Sequence, residues 1–526
     1  MKLKNYFLSA LLLAAVAVNA QDAPPENWFN LDLEKDSIVG VGTERAYELL
    51  KGRQSKTVIV AVIDDGIDFN HEDLKDIIWT NEDEIPGNGV DDDKNGYIDD
   101  VHGWNFIGGK NGNVDEDTYE VTRLFSYYSK KFENADPDTI KGADKKAYNY
   151  YKNEVKPAFL EKYYENASTY LRIGSMLSAV DAVSAKIEGD VTVDKLKELK
   201  TEDPLEEATR KNMITWMGYG LGVQEIKQQL GGAIDHYKNA VEKSFNTSFD
   251  PRNIVGDNYE NANERGYGNN DYRGPNGDHG SHVAGIIAAI RSNSLGMKGI
   301  ADNVKIMIIR VVPDGDERDK DVANGIRYAV DNGATVVNMS FGKAFTYNKQ
   351  VVDDAVRHAA ANDVLLVHAA GNEALNIDKT LHYPTDTYLE KGTAKNWLEI
   401  GACTHKLDSN LPAEFSNWGK KNVDVFAPGV EIYSSIPDNK YASFSGTSMA
   451  SPVTAGVAAL LRSYFPELTA EQVKDIIMKS ATKITIDVVV PGTNKKEKMT
   501  YLCKTGGVVN AYKAVELAMK TKGKKK

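Results

Sequence analysis

The chain has 526 residues, 41% hydrophobic and 26% charged, ordinary values for a soluble globular protein and too long for one modest core. A formal net charge of −13 argues against a nucleic-acid partner, because phosphate contacts need clustered Lys and Arg. Two cysteines, Cys403 and Cys503, cannot build a cysteine-rich metal site; pairing and two separate buried thiols both stay open.

Lys2 and Lys4 precede the apolar run Phe7–Val18, which is short for a bilayer span, and Val18-Asn19-Ala20 places small residues at a cleavage position. Residues 1–20 therefore read as a signal peptide, with export to the periplasm or the medium and a mature start at Gln21. No later stretch is long and apolar enough to suggest a membrane span.

After an N-terminal extension, residues 21–56, the run Thr57–Ile63 is apolar on both faces, as a buried parallel strand requires. It ends in Asp64-Asp65-Gly66, so Asp64 is expected at the carboxyl end of a sheet, where open α/β folds hold ligands. Next comes an acidic loop, Asp91 to Asp100. Asp91, Asp93, Asn95 and Asp99 stand at positions one, three, five and nine, and Gly96 at six, of a calcium-loop pattern. His102 replaces the closing Glu, so a full EF-hand is excluded. A Ca²⁺ site and a solvated acidic turn on Asn95-Gly96 are both compatible with this spacing.

Residues 112–250 change texture to Lys, Glu, Tyr and Ala, with apolar residues every three or four positions. Ile173, Leu177, Val180, Val183 and Ile187 share one helical face, and Val223, Ile226, Leu230, Ile234, Tyr237 and Val241 another. This is a helical insertion, with Pro157 expected to break or kink one helix. The Gly-, Asn- and Asp-rich stretch 257–278 reads as loop.

His279 then opens the small-residue helix Gly280–Ala289. Its partner at i+3, His282, raises a metal pair, but no Glu lies between them as zinc proteases need. Apolar runs Val304–Val312, Ala334–Met339, Val364–Ala369 and Val423–Ala427 alternate with amphipathic stretches, which implies βαβ units. In Phe444-Ser445-Gly446-Thr447-Ser448-Met449-Ala450-Ser451-Pro452, Ser448 falls at the start of an apolar helix, where Pro452 is tolerated in the first turn. A serine there exposes its hydroxyl and leaves its N–H free for a developing oxyanion.

The blocks Val60–Leu74, His279–Ala289 and Ser445–Pro452, in the order Asp, His, Ser, resemble the three signature blocks of the subtilisin-like serine peptidases. The resemblance covers about residues 40–109 and 250–519. It implies an α/β fold, a doubly wound, mostly parallel sheet with helices on both faces, over 57–111 and 251–519, the insertion apart. It further implies an acyl-enzyme on Ser448, with His279 as general base and acid, Asp64 orienting it, and Asn372 of Ala369-Ala370-Gly371-Asn372 in the oxyanion hole. Ser340, Phe341 and Gly342 would line one wall of the substrate pocket and Ala370 and Gly371 the other, giving a roomy, mainly apolar slot. Substrates would be polypeptides, with structural Ca²⁺ favoured and no cofactor in the chemistry.

Two departures stand out: Asp65 replaces the usual Ser or Thr and is expected to face solvent or a calcium ion, and Ser281 replaces the usual Thr. The span between Gln21 and Thr57 is too short for the inhibitory prodomain of many secreted members. Two other classes compete. A non-catalytic binder lacks support because all four reactive positions are filled. An esterase of the Gly-x-Ser-x-Gly type lacks that motif around Ser448. Residues 520–526 form a basic tail. The cleavage preference and oligomeric state are not written in the sequence.

Overall fold

A computed structural model describes residues 24–524. The expected signal peptide and the last two residues of the basic tail lie outside that range.

Two compact units divide the chain: Val121–Phe249, and Pro24–Glu120 together with the chain from Asp250 onward. In the first, helices Lys156–Ala185, Pro204–Gly218 and Val223–Asn239 bury Ile173, Val180, Val183, Met213, Trp216, Ile226 and Leu230 in one core. Both apolar faces legible in the sequence meet there. Pro157 does not end the helix: the chain stays helical across it, and a π turn, Tyr151–Val155, directly before it accommodates the missing N–H. The stretch 112–120 belongs to the larger unit because it is tied in by charge. Arg318 grips Asp117 at 2.7 and 3.0 Å, and Lys343 binds Glu120 at 2.7 Å.

The larger unit is built on a nine-stranded sheet. Its strands are β1 (Val58–Asp64), β2 (Gly103–Asn105), β3 (Val304–Arg310), β4 (Val336–Met339), β5 (Leu365–Ala369), β6 (Trp397–Cys403), β7 (Val425–Pro428), β8 (Thr482–Lys483) and β9 (Gly507–Val508). The order is β8-β9-β7-β6-β5-β4-β1-β3-β2, parallel throughout except between β8 and β9. Alternate residues of each strand serve opposite cores. Val60, Val62, Ile306, Ile308 and Val367 face the layer holding α1 (Asp278–Ala288) and α2 (Thr447–Tyr464). Ala61, Ile63, Met307, Ile309 and Leu366 face that of helices Asp319–Asp331 and Lys349–Ala361. The fold is therefore the expected doubly wound α/β sheet. Strand order reverses about β1, so the carboxyl end of β1 opens at the switch point of the sheet. Cys403 and Cys503 are unbridged and share one buried core.

Candidate active site

Asp64 closes β1 with its side chain 3% exposed, and its Oδ1 lies 2.7 Å from His279 Nδ1. The helix bearing His279 can approach this closely because residue 280 is glycine: a Cβ there would collide with the Gly66 carbonyl oxygen. Burial pulls the imidazolium down, and the carboxylates of Asp64 and Asp65 more than reverse this, raising His279 to about 9. The imidazole is therefore held by a carboxylate on Nδ1, which leaves Nε2 for chemistry.

Asp65 does not face solvent. Its Oδ1 accepts the Gly280 N–H at 2.8 Å, and its own N–H donates to Asp64 Oδ1 at 2.9 Å. The α1 N-terminus offers a free backbone N–H beside the strand end, and that donor turns the carboxylate inward. Burial, with Asp64 adding, pushes Asp65 up to about 7. His282 forms no metal pair with His279. Its Nε2 meets the Ala442 carbonyl at 3.1 Å, its ring stacks on Phe444, and burial drives it down to about 3.

Ser448 is the second residue of α2 and half-buried. In this structure its Oγ donates to the Ser340 carbonyl at 3.0 Å rather than to His279, and Ser340 Oγ returns a bond to the Ser448 carbonyl at 2.9 Å. Ser340 and His279 line one cavity of about 330 Å³ with Asp64, Asp65, Asp115 and Arg310. Asn372 Oδ1 accepts from both Thr447 N and Thr447 Oγ1, at 2.9 and 3.0 Å, which turns its Nδ2 the other way. A Cβ placed on Gly446 would stand 3.5 Å from Asn372 Nδ2 and 3.6 Å from Ser448 N, so these two donors flank the same small space.

The two expected pocket walls follow β4 and β5. Ser340 is tied to Ser448; the Phe341 carbonyl accepts from His368 Nε2 at 2.8 Å; Ala370 O accepts from Asn417 Nδ2 at 2.8 Å. Gly371, at φ +100°, sits where a Cβ would press on Asn417, Glu373 and His382. The slot between the walls is not the roomy apolar one expected, because the His382 ring occupies it beside both Gly342 and Gly371. Sequence reading missed Ser340 as the holder of Ser448, and missed Thr447, Asn417 and His382. Thr447 lay inside a motif and Ser340 in the expected pocket wall; Asn417 and His382 come from loops without periodicity.

The acidic loop is regrouped by folding. Glu84, Asp93 and Asp100 bring carboxylate oxygens within 4.8 Å of one another. Asn81 and Asn95 amides each bond both Asp93 and Asp100 at 2.9–3.0 Å. Asp91 instead caps the N–H groups of Asn95 and Gly96, and Asp99 those of Asn88 and Gly89.

A buried carboxylate on an imidazole, with a serine that opens a helix and is tied to Ser340 on the wall of the same cavity, marks a serine hydrolase. The chain belongs to the subtilase family of serine peptidases: the model of the subtilase family matches residues 55–501. Subtilisin DY of Bacillus licheniformis is 39% identical over 211 residues, covering 39% of this chain and 71% of that protein. Thermitase of Thermoactinomyces vulgaris is 39% identical over 249 residues, 47% of this chain and 78% of that protein. Among solved structures, prenylagaramide maturation protease PagA shares 28% identity at a TM-score of 0.38, covering 47% of this chain and 83% of that chain.

Proposed function

We propose that this protein is an exported serine endopeptidase that cleaves polypeptides through an acyl-enzyme on Ser448. The reading rests above all on the 2.7 Å bond between His279 and Asp64, two residues 215 positions apart. Rotation about the Ser448 Cα–Cβ bond releases Oγ from the Ser340 carbonyl and turns it to His279 Nε2. The imidazole takes its proton as Oγ attacks the peptide carbonyl, then gives it to the leaving amine. Asp64 keeps Nδ1 protonated and stabilises the imidazolium. Asn372 Nδ2 and the Ser448 N–H stabilise the oxyanion in the space beside Gly446. Water repeats the sequence on the acyl-enzyme. Hydrolysis of casein by the parent and not by Ser448→Ala is the test; equal rates in the two would refute the reading.

Glu84, Asp93 and Asp100, with the amide oxygens of Asn81 or Asn95 after a flip, form a hard-oxygen donor set that fits Ca²⁺. Its role is structural, since the cluster supplies nothing to the hydrolytic steps. The Asp91 and Asp99 caps shape the loop around it. Export is proposed from the signal-like segment at residues 1–20; among the described residues no helix is long and apolar enough to cross a membrane.

A further inference from the structure

The slot between the two pocket walls holds one polar group that the protein leaves unserved. His382 enters it with the Nδ1–Cε1–Nε2 edge of the ring leading. Nδ1 and Nε2 would lie 2.9 and 3.0 Å from a Cβ on Gly342, and Nε2 2.9 Å from a Cβ on Gly371. Two glycines, one in each wall, make room for this ring. Nδ1 is buried and has no hydrogen-bond partner. The neighbouring imidazole is the opposite case. His368 stands 6.1 Å from His382 between ring centres and is satisfied on both nitrogens, by Glu399 at 3.0 Å and by the Phe341 carbonyl at 2.8 Å. Glu399 is itself held by the Trp397 indole at 2.8 Å, so this layer cannot turn to serve His382.

Nδ1 is closed off from the slot, so the nitrogen a ligand can reach is Nε2, which lies between the two wall glycines with no hydrogen-bond partner and is expected to find one in the ligand. We infer that His382 is a specificity-determining residue: it shortens the primary pocket and gives it a polar floor that favours a short, hydrogen-bonding side chain on the acyl side of the scissile bond. Ser, Thr and Asn fit that description. Phe and Tyr do not, because the imidazole already fills the volume a large ring needs, and an apolar ring would leave the nitrogen unpaired. Burial, with His368 adding and Glu399 opposing, drives His382 down to about 4, so near neutrality the floor is a neutral imidazole with one N–H and one lone pair. Selection is therefore by hydrogen bonding and length rather than by charge. An acidic side chain is disfavoured separately, because Glu373 Oε2 reaches the same wall, 2.7 Å from the Gly371 Cβ position, and is fixed there by Asn417 at 2.6 Å.

This inference rests on the peptidase reading above, and its test separates the two. Peptide anilides differing only in the acyl-side residue (Ser, Thr, Asn, Asp, Leu, Phe, Tyr) are compared by kcat/KM for the parent, His382→Gly and His382→Ala. Each rate is referred to active sites counted with a fluorophosphonate. The parent is expected to prefer Asn over Phe by about tenfold or more, and both variants to lower or reverse that ratio by at least tenfold through faster Phe and Tyr turnover. A library cleavage profile of the unsubstituted enzyme gives the same answer without any variant that must fold. A parent preference for Phe or Tyr, or a ranking unchanged by both substitutions, overturns the role of His382 alone. A titrated parent that cleaves no peptide at all sinks the peptidase reading and this inference with it.

Discussion

Replacing Asp65 with Asn tests how the site sets the working pH of His279. The substitution keeps the shape: an amide oxygen still accepts the Gly280 N–H that the carboxylate now takes at 2.8 Å. What it removes is negative charge next to the imidazole. His279 rises to about 9 because Asp64 and Asp65 both favour its protonated form against the effect of burial. A neighbouring opposite charge shifts a group by about 1–3 units. Asp65 is pushed up only to about 7, so it is ionised through the His279 midpoint, and its effect on the imidazole is smaller than that of Asp64, which places its share at the low end, about one unit or about 1.4 kcal/mol. His279 must be neutral to act as base, so kcat/KM rises with pH through its pKa. Lowering that pKa moves the acid limb of the profile to lower pH. The assay is kcat/KM on one peptide anilide from pH 5 to 10, with the expected midpoint about one unit lower in Asp65→Asn and the plateau changed by less than about tenfold. An unmoved midpoint, or one shifted to higher pH, refutes the electrostatic assignment of Asp65.

Asn372→Ala should cut kcat by about 10²–10³ with little change in KM, since it removes a donor used only as the oxyanion forms; a comparable rise in KM would instead indicate a ground-state contact. Chelation with EDTA should lower Tm by about 3 °C, as expected for calcium at about 100 times its Kd. Asp100→Asn should abolish that response, measured by differential scanning fluorimetry, and a Tm insensitive to EDTA in the parent would remove calcium from the account. Lys343→Met should cost about 3–5 kcal/mol in urea unfolding, because it strands the carboxylates of Glu120 and Asp319, 2.7 and 2.8 Å from the ammonium in a buried cluster; a loss below about 1 kcal/mol would contradict the pairing.

The parallel core was legible because strands buried on both faces leave unbroken apolar runs. Thr57–Ile63 and Val364–Ala369 were placed within a residue or two of β1 and β5. The insertion was legible for the complementary reason: Ile173 and Ile226 mark helical stripes that meet in one core. At the site, Asp64, His279, Ser448 and Asn372 stood in local motifs, and the structure brings His279 to Asp64 and Asn372 to Thr447. What stayed hidden is what depends on contacts between distant loops. Nothing local says that Asp65 meets Gly280, that Glu84 and Asp100 join Asp93 while Asp91 and Asp99 cap backbone instead, or that His382 enters the slot between Gly342 and Gly371. Pro157 shows the same limit: sequence marks the missing N–H, but not the π turn at Tyr151–Val155 that lets the helix continue across it.

The most direct test of the account is covalent. A fluorophosphonate should label the parent at a single site, located by mass spectrometry to the peptide bearing Ser448. Labelling should be lost in Ser448→Ala and slowed about 10³-fold or more in His279→Ala, which lacks the base. Labelling at another serine, or at an undiminished rate without His279, would contradict the claim that these residues work as one nucleophilic unit.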